Sequence, residues 1–203
     1  NNTGKIVIKN STGQAGKEIL IIETDGLTYD LLTKTMHSGN YDLAEEYIIQ
    51  HPTMIKLSPS GVNTVRLITM VTDGTTDILG ARLRISINSP VDNLAAGNAA
   101  APMDPLTGIV TGNAVFSDIT KPDIKYHPVT GVKIPGFQVP FWPEIIDMVK
   151  KASVMAVNNR SVGWDIAITP SGPLLIEGNH NWCKLLWQLP VKKGLKNELE
   201  RYL

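Results

Sequence analysis

The chain has 203 residues, 42% of them hydrophobic, enough apolar material for one packed domain or two small lobes, and its 19 basic and 19 acidic side chains cancel to a formal charge of zero. With no long basic run it lacks the electrostatic footprint of a nucleic-acid-binding protein, and no apolar stretch approaches the roughly 18 residues that a membrane helix needs. The single cysteine, Cys183, forbids an internal disulfide, fits a reducing compartment, and reads as a packing residue in the apolar helical stretch 181–187. The opening Asn1-Asn2-Thr3-Gly4 has neither an initiator methionine nor a signal-peptide layout, so the chain is expected to be truncated at its start.

In chain order, Lys5–Lys9 alternates polar and β-branched residues as a strand, a Gly/Ser/Thr-rich loop fills 10–16, and 18–22 forms a second strand. Leu27, Leu31 and Leu32 give helical spacing over 27–36, and 42–49 returns to a strand that Pro52 ends. Two β-rich runs, 63–72 and 78–87, face each other across Asp73-Gly74 as a hairpin, with Arg66, Arg82 and Arg84 interrupting otherwise apolar sheet. Residues 88–123 are rich in Asn, Ala, Gly and Pro and offer one strand at 111–116; a loop system of this length is expected to close over a substrate. Residues 141–155 form an amphipathic helix with Ile145, Ile146, Met148 and Val149 on one face and Pro143 in its first turn, and 182–189 and 195–203 look helical.

The most informative stretch is 163–179, a hairpin turned by Pro170-Ser171-Gly172. Alternation sets Asp165 across from Glu177 and puts Glu177 and Asn179 on one face, so two carboxylates and an amide carbonyl converge as hard-oxygen ligands suited to Mg²⁺. A solvated hairpin edge also fits those residues. Lys9 beside the 10–16 loop reads as a phosphate cradle, or as a plain glycine turn; the Gly-Lys-Ser/Thr ending of a Walker loop is absent. Glu45-Glu46-Tyr47-Ile48 suits an adenine edge or a strand with one solvated face. Arg82 and Arg84 share a strand face, and with Arg66 they suit bidentate binding of phosphate or carboxylate, or pairing with a structural acid. His51 and His127 each precede a proline in a turn, as ligand, base or exposed residue.

In this order the pieces resemble the ATP-grasp superfamily, and most closely the sugar-transfer-associated ATP-grasp proteins, related to alpha-L-glutamate ligases. The resemblance is carried by Ile6-Val7-Ile8-Lys9 with its glycine loop, Glu45-Glu46-Tyr47-Ile48, His51-Pro52, Val62-Asn63-Thr64-Val65-Arg66 and Val91-Asp92-Asn93. Downstream it continues through His127-Pro128-Val129-Thr130-Gly131, Ile134-Pro135-Gly136, Pro140-Phe141-Trp142, Gly163-Trp164-Asp165-Ile166 and Glu177-Gly178-Asn179. It implies an α+β ATP-grasp fold of two lobes with antiparallel sheets and ATP between them. A small nucleotide-binding lobe would occupy 1–48 and a large lobe with the metal hairpin and substrate loops 49–203, with an upstream domain missing.

The implied activity is an ATP- and Mg²⁺-dependent ligase joining a carboxylate to an amine through an acyl phosphate, in polysaccharide biosynthesis or modification and in the cytoplasm, without nucleic acid or membrane insertion. By the same resemblance Lys9 would contact the α- and β-phosphates, the loop with Ser11, Thr12, Gly13 and Gly16 would cover the triphosphate, and Glu45, Glu46 and Ile48 would line the adenine site. Arg66 and Arg84 would face the transferred phosphate as catalytic residues, Asp92, Asn93 and His127 would contact substrate, and Asp165, Glu177 and Asn179 would hold Mg²⁺. The usual double glycine after Asp-Asn is replaced by Ala95-Ala96-Gly97-Asn98. A non-catalytic nucleotide-binding module of a glycan-assembly system and an ATP-dependent phosphotransferase remain as alternatives.

Overall fold

The computed structural model describes residues 3–13, 19–156 and 158–202. They fall into two compact units, Asn1–Ile49 and Gln50–Leu203. In the first, β1 (Lys5–Lys9) is the centre of a three-stranded antiparallel sheet, flanked by β2 (Ile19–Glu23) and β3 (Leu43–Glu46). Ile8, in the middle of that sheet, is fully buried. The helix α1 (Tyr29–Ser38) starts at Thr28, whose hydroxyl accepts from the Leu31 N–H and so satisfies one of the donors that a helix start leaves open.

The second unit begins with a correction. Pro52 does not end a strand; it opens the short helix α2 (Pro52–Leu57), where its missing N–H costs nothing, and His51 caps that helix by accepting from the Thr53 N–H. A six-stranded antiparallel sheet follows. Its strands are β4 (Thr64–Thr72), β5 (Thr75–Ile85), β6 (Ala99–Met103), β7 (Val115–Phe116), β8 (Ser161–Thr169) and β9 (Gly172–Asn179), in the spatial order β7-β6-β5-β4-β8-β9. Asp73 and Gly74 both have positive φ, 49° and 75°, the conformation of a tight two-residue turn whose twist matches its strands, so the β4–β5 hairpin closes where the Asp-Gly pair predicts.

Side chains alternate across this sheet. One face carries Val65, Leu67, Ala81, Leu83, Trp164 and Ile166, and packs with Trp142, Ile145 and Val149 of α3 (Trp142–Met155) into the main core. The opposite face carries Arg66, Arg82, Arg84 and Asp165, together with Ile68, which packs on Trp187 and Leu195. These last two belong to the C-terminal segment with α4 (Lys184–Gln188) and α5 (Lys196–Glu200). Arg82 ties that segment down: its Nε donates to the Trp187 carbonyl at 2.9 Å, while the Trp187 indole donates to the Leu79 carbonyl. Burial pushes the Arg82 guanidinium down to about 10, which leaves it cationic at neutral pH.

Residues 88–123 are not a single loop. β6 runs through them as an inner strand, with Ala99, Ala100 and Ala101 fully buried, and only Val115–Phe116 of the expected 111–116 strand pairs with it. Beyond β6 the chain is pinned by bridges between Met103 and Val110, Ala114 and Ile124, and Tyr126 and Lys133. These bridges give the segment backbone pairing of its own where a structureless loop was expected. No helix among the described residues is long and apolar enough to cross a membrane.

Asn63, fully buried, joins α2 to the sheet: its Nδ2 reaches Gln50 Oε1 and the Ser58 carbonyl, and its Oδ1 accepts from the Ser86 N–H at 2.9 Å and from the Ser86 hydroxyl. Asn63→Ala leaves several of these partners buried without a mate and is expected to cost about 3 kcal/mol, read as a lower urea midpoint at unchanged slope.

Candidate active site

The polar face of the second unit's sheet is organised by register. Arg66 on β4 pairs with Arg82 on β5 and with Asp165 on β8, and Asp165 pairs with Glu177 on β9, so one row crosses four strands. Arg84 lies two residues along β5 on the same face. Asp165 sits between the two arginines: Arg66 grips it through Nε and, at 2.7 Å, through Nη2, and Arg84 Nη1 donates to its Oδ2 at 2.6 Å. Arg84 Nη2 also reaches Asp92 Oδ1 at 2.8 Å. The other oxygen of Asp92 accepts from the Thr64 N–H at 2.7 Å and from the Thr64 hydroxyl at 2.5 Å. Arg66, Arg84, Asp92 and Asp165 are 6%, 9%, 6% and 3% exposed, so the cluster survives out of water because each charge faces its opposite.

The electrostatics follow this geometry. Burial pushes the Asp165 carboxyl up, but the Arg66 hydrogen bond and the Arg84 and Arg66 charges outweigh it and hold the group below its ordinary range. Burial pulls Arg84 down, yet Asp92, Asp165 and Glu177 together keep it above its ordinary value. For Asp92 burial prevails over Arg84 and Thr64 and the carboxyl is raised. The two halves of the Arg84–Asp92 pair thus point to different strengths of pairing; with three donors on its two oxygens, Asp92 is read as the ionised partner.

The Asp165–Glu177 pairing depends on a bulge that plain alternation does not reveal. From the turn, Thr169 faces Gly172 and Ile166 faces Leu175, but Asp165 then faces Glu177, so Ile176 is an extra residue in β9. If Ile176 paired with Asp165 in unbroken alternation, Glu177 would oppose Trp164 and point into the core. Past the bulge Asn179 donates through Nδ2 to Glu177 Oε1 at 3.1 Å and to the Gly163 carbonyl at 3.3 Å, which orients its amide. Gly163 itself has no room for a side chain: a Cβ there would lie 2.6 Å from Trp182 Cβ and 3.2 Å from Arg66 Cδ.

The donor set fits Mg²⁺. Glu177 and Asn179 bring hard oxygens at the exposed edge of the sheet, with Asp165 directly across the strand; among the described residues no three His, Cys, Asp or Glu side chains converge on one point.

In the first unit Lys9 and Glu45, both expected at the nucleotide, pair with each other at 2.7 Å. Glu46 is exposed and Ile48 half-buried. Of the loop residues, Ser11, Thr12 and Gly13 are exposed and Gly16 lies outside the described residues. The loop is fastened by a residue that sequence reasoning passed over: Asp42 accepts from the Ser11 N–H and hydroxyl, each at 2.6 Å, and these bonds hold its carboxyl below the ordinary range. An Asp at the first position before β3 carries no periodic signal by which to find it.

Of the three residues expected at the substrate, Asp92 and His127 are buried and Asn93 is half-buried. Asp92 is spent on Arg84 and Thr64. Asn93 caps a 3₁₀ turn over Leu94–Ala96, accepting from the Ala95 N–H, and Gly97 closes that turn at φ 86°. His127, expected in an exposed turn, is 1% exposed; its Nε2 donates to the Ser86 carbonyl and its Nδ1 accepts from the Val129 and Thr130 N–H groups, so both ring nitrogens are engaged by backbone. Cys183 is exposed at the start of α4 rather than packed.

Compared with known proteins, a family model described as sugar-transfer associated ATP-grasp matches residues 1–202. No curated protein matches. Among solved structures, the ATP-grasp ligase PsnB complexed with a precursor peptide and AMPPNP is similar with a TM-score of 0.52 at 14% identity, over 98% of this chain and 45% of that one. D-alanyl-alanine synthetase A from Vibrio cholerae gives 0.43 at 10% identity, over 87% of this chain and 43% of that one. The chain therefore spans less than half the length of these structures, and with the first of them it shares an α+β fold of antiparallel sheets.

Removing Asp165 leaves two buried guanidinium groups facing each other, so Asp165→Ala is expected to cost about 3–5 kcal/mol in urea unfolding. The pH dependence has a definite sign. Because the folded Asp165 carboxyl lies below the ordinary 3.8, the stability gap between the parent and Asp165→Asn is full above that pH and closes as the pH falls through the lower folded value.

Proposed function

The chain belongs to the sugar-transfer associated ATP-grasp family, and from that premise we propose that it forms the nucleotide- and metal-binding part of a Mg²⁺-dependent ligase that uses ATP to join a carboxylate to an amine, in the assembly or modification of a polysaccharide. The observation that carries this reading is the buried Arg66–Asp165–Arg84 cluster set against Glu177 and Asn179. Anion-binding guanidinium groups beside a hard-oxygen donor set are what phosphoryl transfer to a carboxylate requires. The polysaccharide setting is supported by the family's description alone.

Lys9 and the loop from Ser11 hold the triphosphate, and 1–48 acts as the small nucleotide-binding lobe, with Glu45, Glu46 and Ile48 at the adenine. In 49–203, Asp165, Glu177 and Asn179 would hold Mg²⁺, which when bound would neutralise phosphate charge. Arg66 and Arg84 each spend two of about five N–H donors on carboxylates and keep the others for an oxyanion. In the reaction a substrate carboxylate takes the γ-phosphoryl group and ADP leaves; an amine then attacks the acyl carbon, inorganic phosphate leaves, and the amine loses one proton to solvent. Positioning and charge stabilisation suffice for these steps, which agrees with a site that holds no activated Ser or Cys nucleophile.

The test is phosphate release by the complete protein with ATP, Mg²⁺ and pairs of carboxylates and amines. Release that needs both acceptors supports the ligase, whereas phosphate retained on a hydroxyl product would identify a phosphotransferase. Glu177→Ala is expected to weaken Mg²⁺-dependent binding of a non-hydrolysable ATP analogue about 10- to 100-fold in calorimetric titration. Failure of the complete parent protein to bind that analogue would sink the reading.

A further inference from the structure

Resting on the ligase reading, we infer that Asp92 and Thr64 are positioning residues that act on the reaction through Arg84, and that Asp92 does not itself touch substrate. Arg84 is anchored at two points on opposite sides: Nη1 on Asp165 at 2.6 Å and Nη2 on Asp92 at 2.8 Å. The first anchor is shared, because Asp165 also holds Arg66 and stands in the donor set that fits the metal. Asp92 is the anchor that serves Arg84 alone among the arginines. Its second oxygen takes both the N–H and the hydroxyl of Thr64, the first residue of β4, so the carboxylate has no freedom to swing toward a ligand.

The surrounding loop is built to keep it there. Asn98 Nδ2 donates to the Val91 carbonyl at 2.8 Å and the Asn93 carbonyl at 3.0 Å, bracketing Asp92, and Asn98 Oδ1 accepts from the N–H of Ile87, two residues past the end of β5. Ala95-Ala96-Gly97-Asn98 is thus the clamp around Asp92: Gly97 supplies the left-handed turn, and Asn98, fully buried, ties the loop back to the strand that carries Arg84. A guanidinium fixed by two carboxylates before the reaction begins needs no reorganisation when negative charge develops beside it.

A double-mutant cycle in the complete protein tests this. Asp92→Asn keeps an oxygen for Thr64 but removes the charge that holds Arg84, and is expected to lower kcat about 10- to 100-fold with KM for ATP nearly unchanged. In an Arg84→Ala background the same change is expected to cost nothing further. Equal losses in both backgrounds would overturn the inference, since Asp92 would then act on substrate directly, and would leave the ligase reading standing. Full activity of Arg84→Ala would overturn it as well. The Arg84 guanidinium signals in a proton–nitrogen NMR spectrum give a readout independent of turnover: they are expected to shift in Asp92→Asn, and an unchanged spectrum would refute the anchor even if the parent showed no ligation. If Asp92→Asn does not fold, Thr64→Val and Thr64→Ser carry the comparison, the first expected to lower kcat and the second to restore it; equal activity of the two would count against the inference.

Discussion

The interaction on which the second unit depends is the sharing of one carboxylate between two arginines from different strands. Asp165 on β8 receives Arg66 from β4 beside it and Arg84 from β5 one strand further on, so three strands are cross-linked by charge. Taking these groups out of water costs several kcal/mol per ion, and only mutual pairing offsets it. The remainder of that face is arranged accordingly. Asp92 balances Arg84, and the C-terminal segment, held through Arg82 and Trp187, covers the sheet alongside. The opposite face carries the main apolar core under α3.

The first unit follows the same logic on a smaller scale. Lys9 at the end of β1 is paired with Glu45 on β3, and the loop that leaves β1 is fastened by Asp42 to the start of β3. A carboxylate taking the N–H and hydroxyl of Ser11 occupies the kind of donors that a phosphate oxygen would use. Those pairs are exposed or half-exposed, unlike the cluster around Asp165, and they open at little cost.

Much of this was legible in the sequence where a short-range rule applied. The Asp73-Gly74 turn, the helix over Trp142–Met155 and the common face of Arg82 and Arg84 follow from turn chemistry and from periods of 3.6 and 2. What escaped had long-range causes. β6 reads Ala-Ala-Ala-Pro-Met, poor in the residues strands favour, and is a strand because small side chains are needed against Leu94 and Leu186 on one face and the main core on the other. Pro102 is tolerated where β7 has already stopped pairing. His127 and Asp92 looked like surface ligands because their partners, the Ser86 carbonyl and Thr64, are 41 and 28 residues away.

The extra residue at Ile176 makes the far end of β9 a matter of counting. Between the turn and the bulge, any side chain that packs preserves the pattern beyond it, but adding a single residue there, with the bulge kept, exchanges inside for outside from that point on: Glu177 and Asn179 would enter the Trp164 side, and Gly178 would face the arginines. The donor set is therefore protected against substitution upstream and exposed to an added residue, whereas loss of the extra one closes the bulge and leaves Glu177 opposite Asp165.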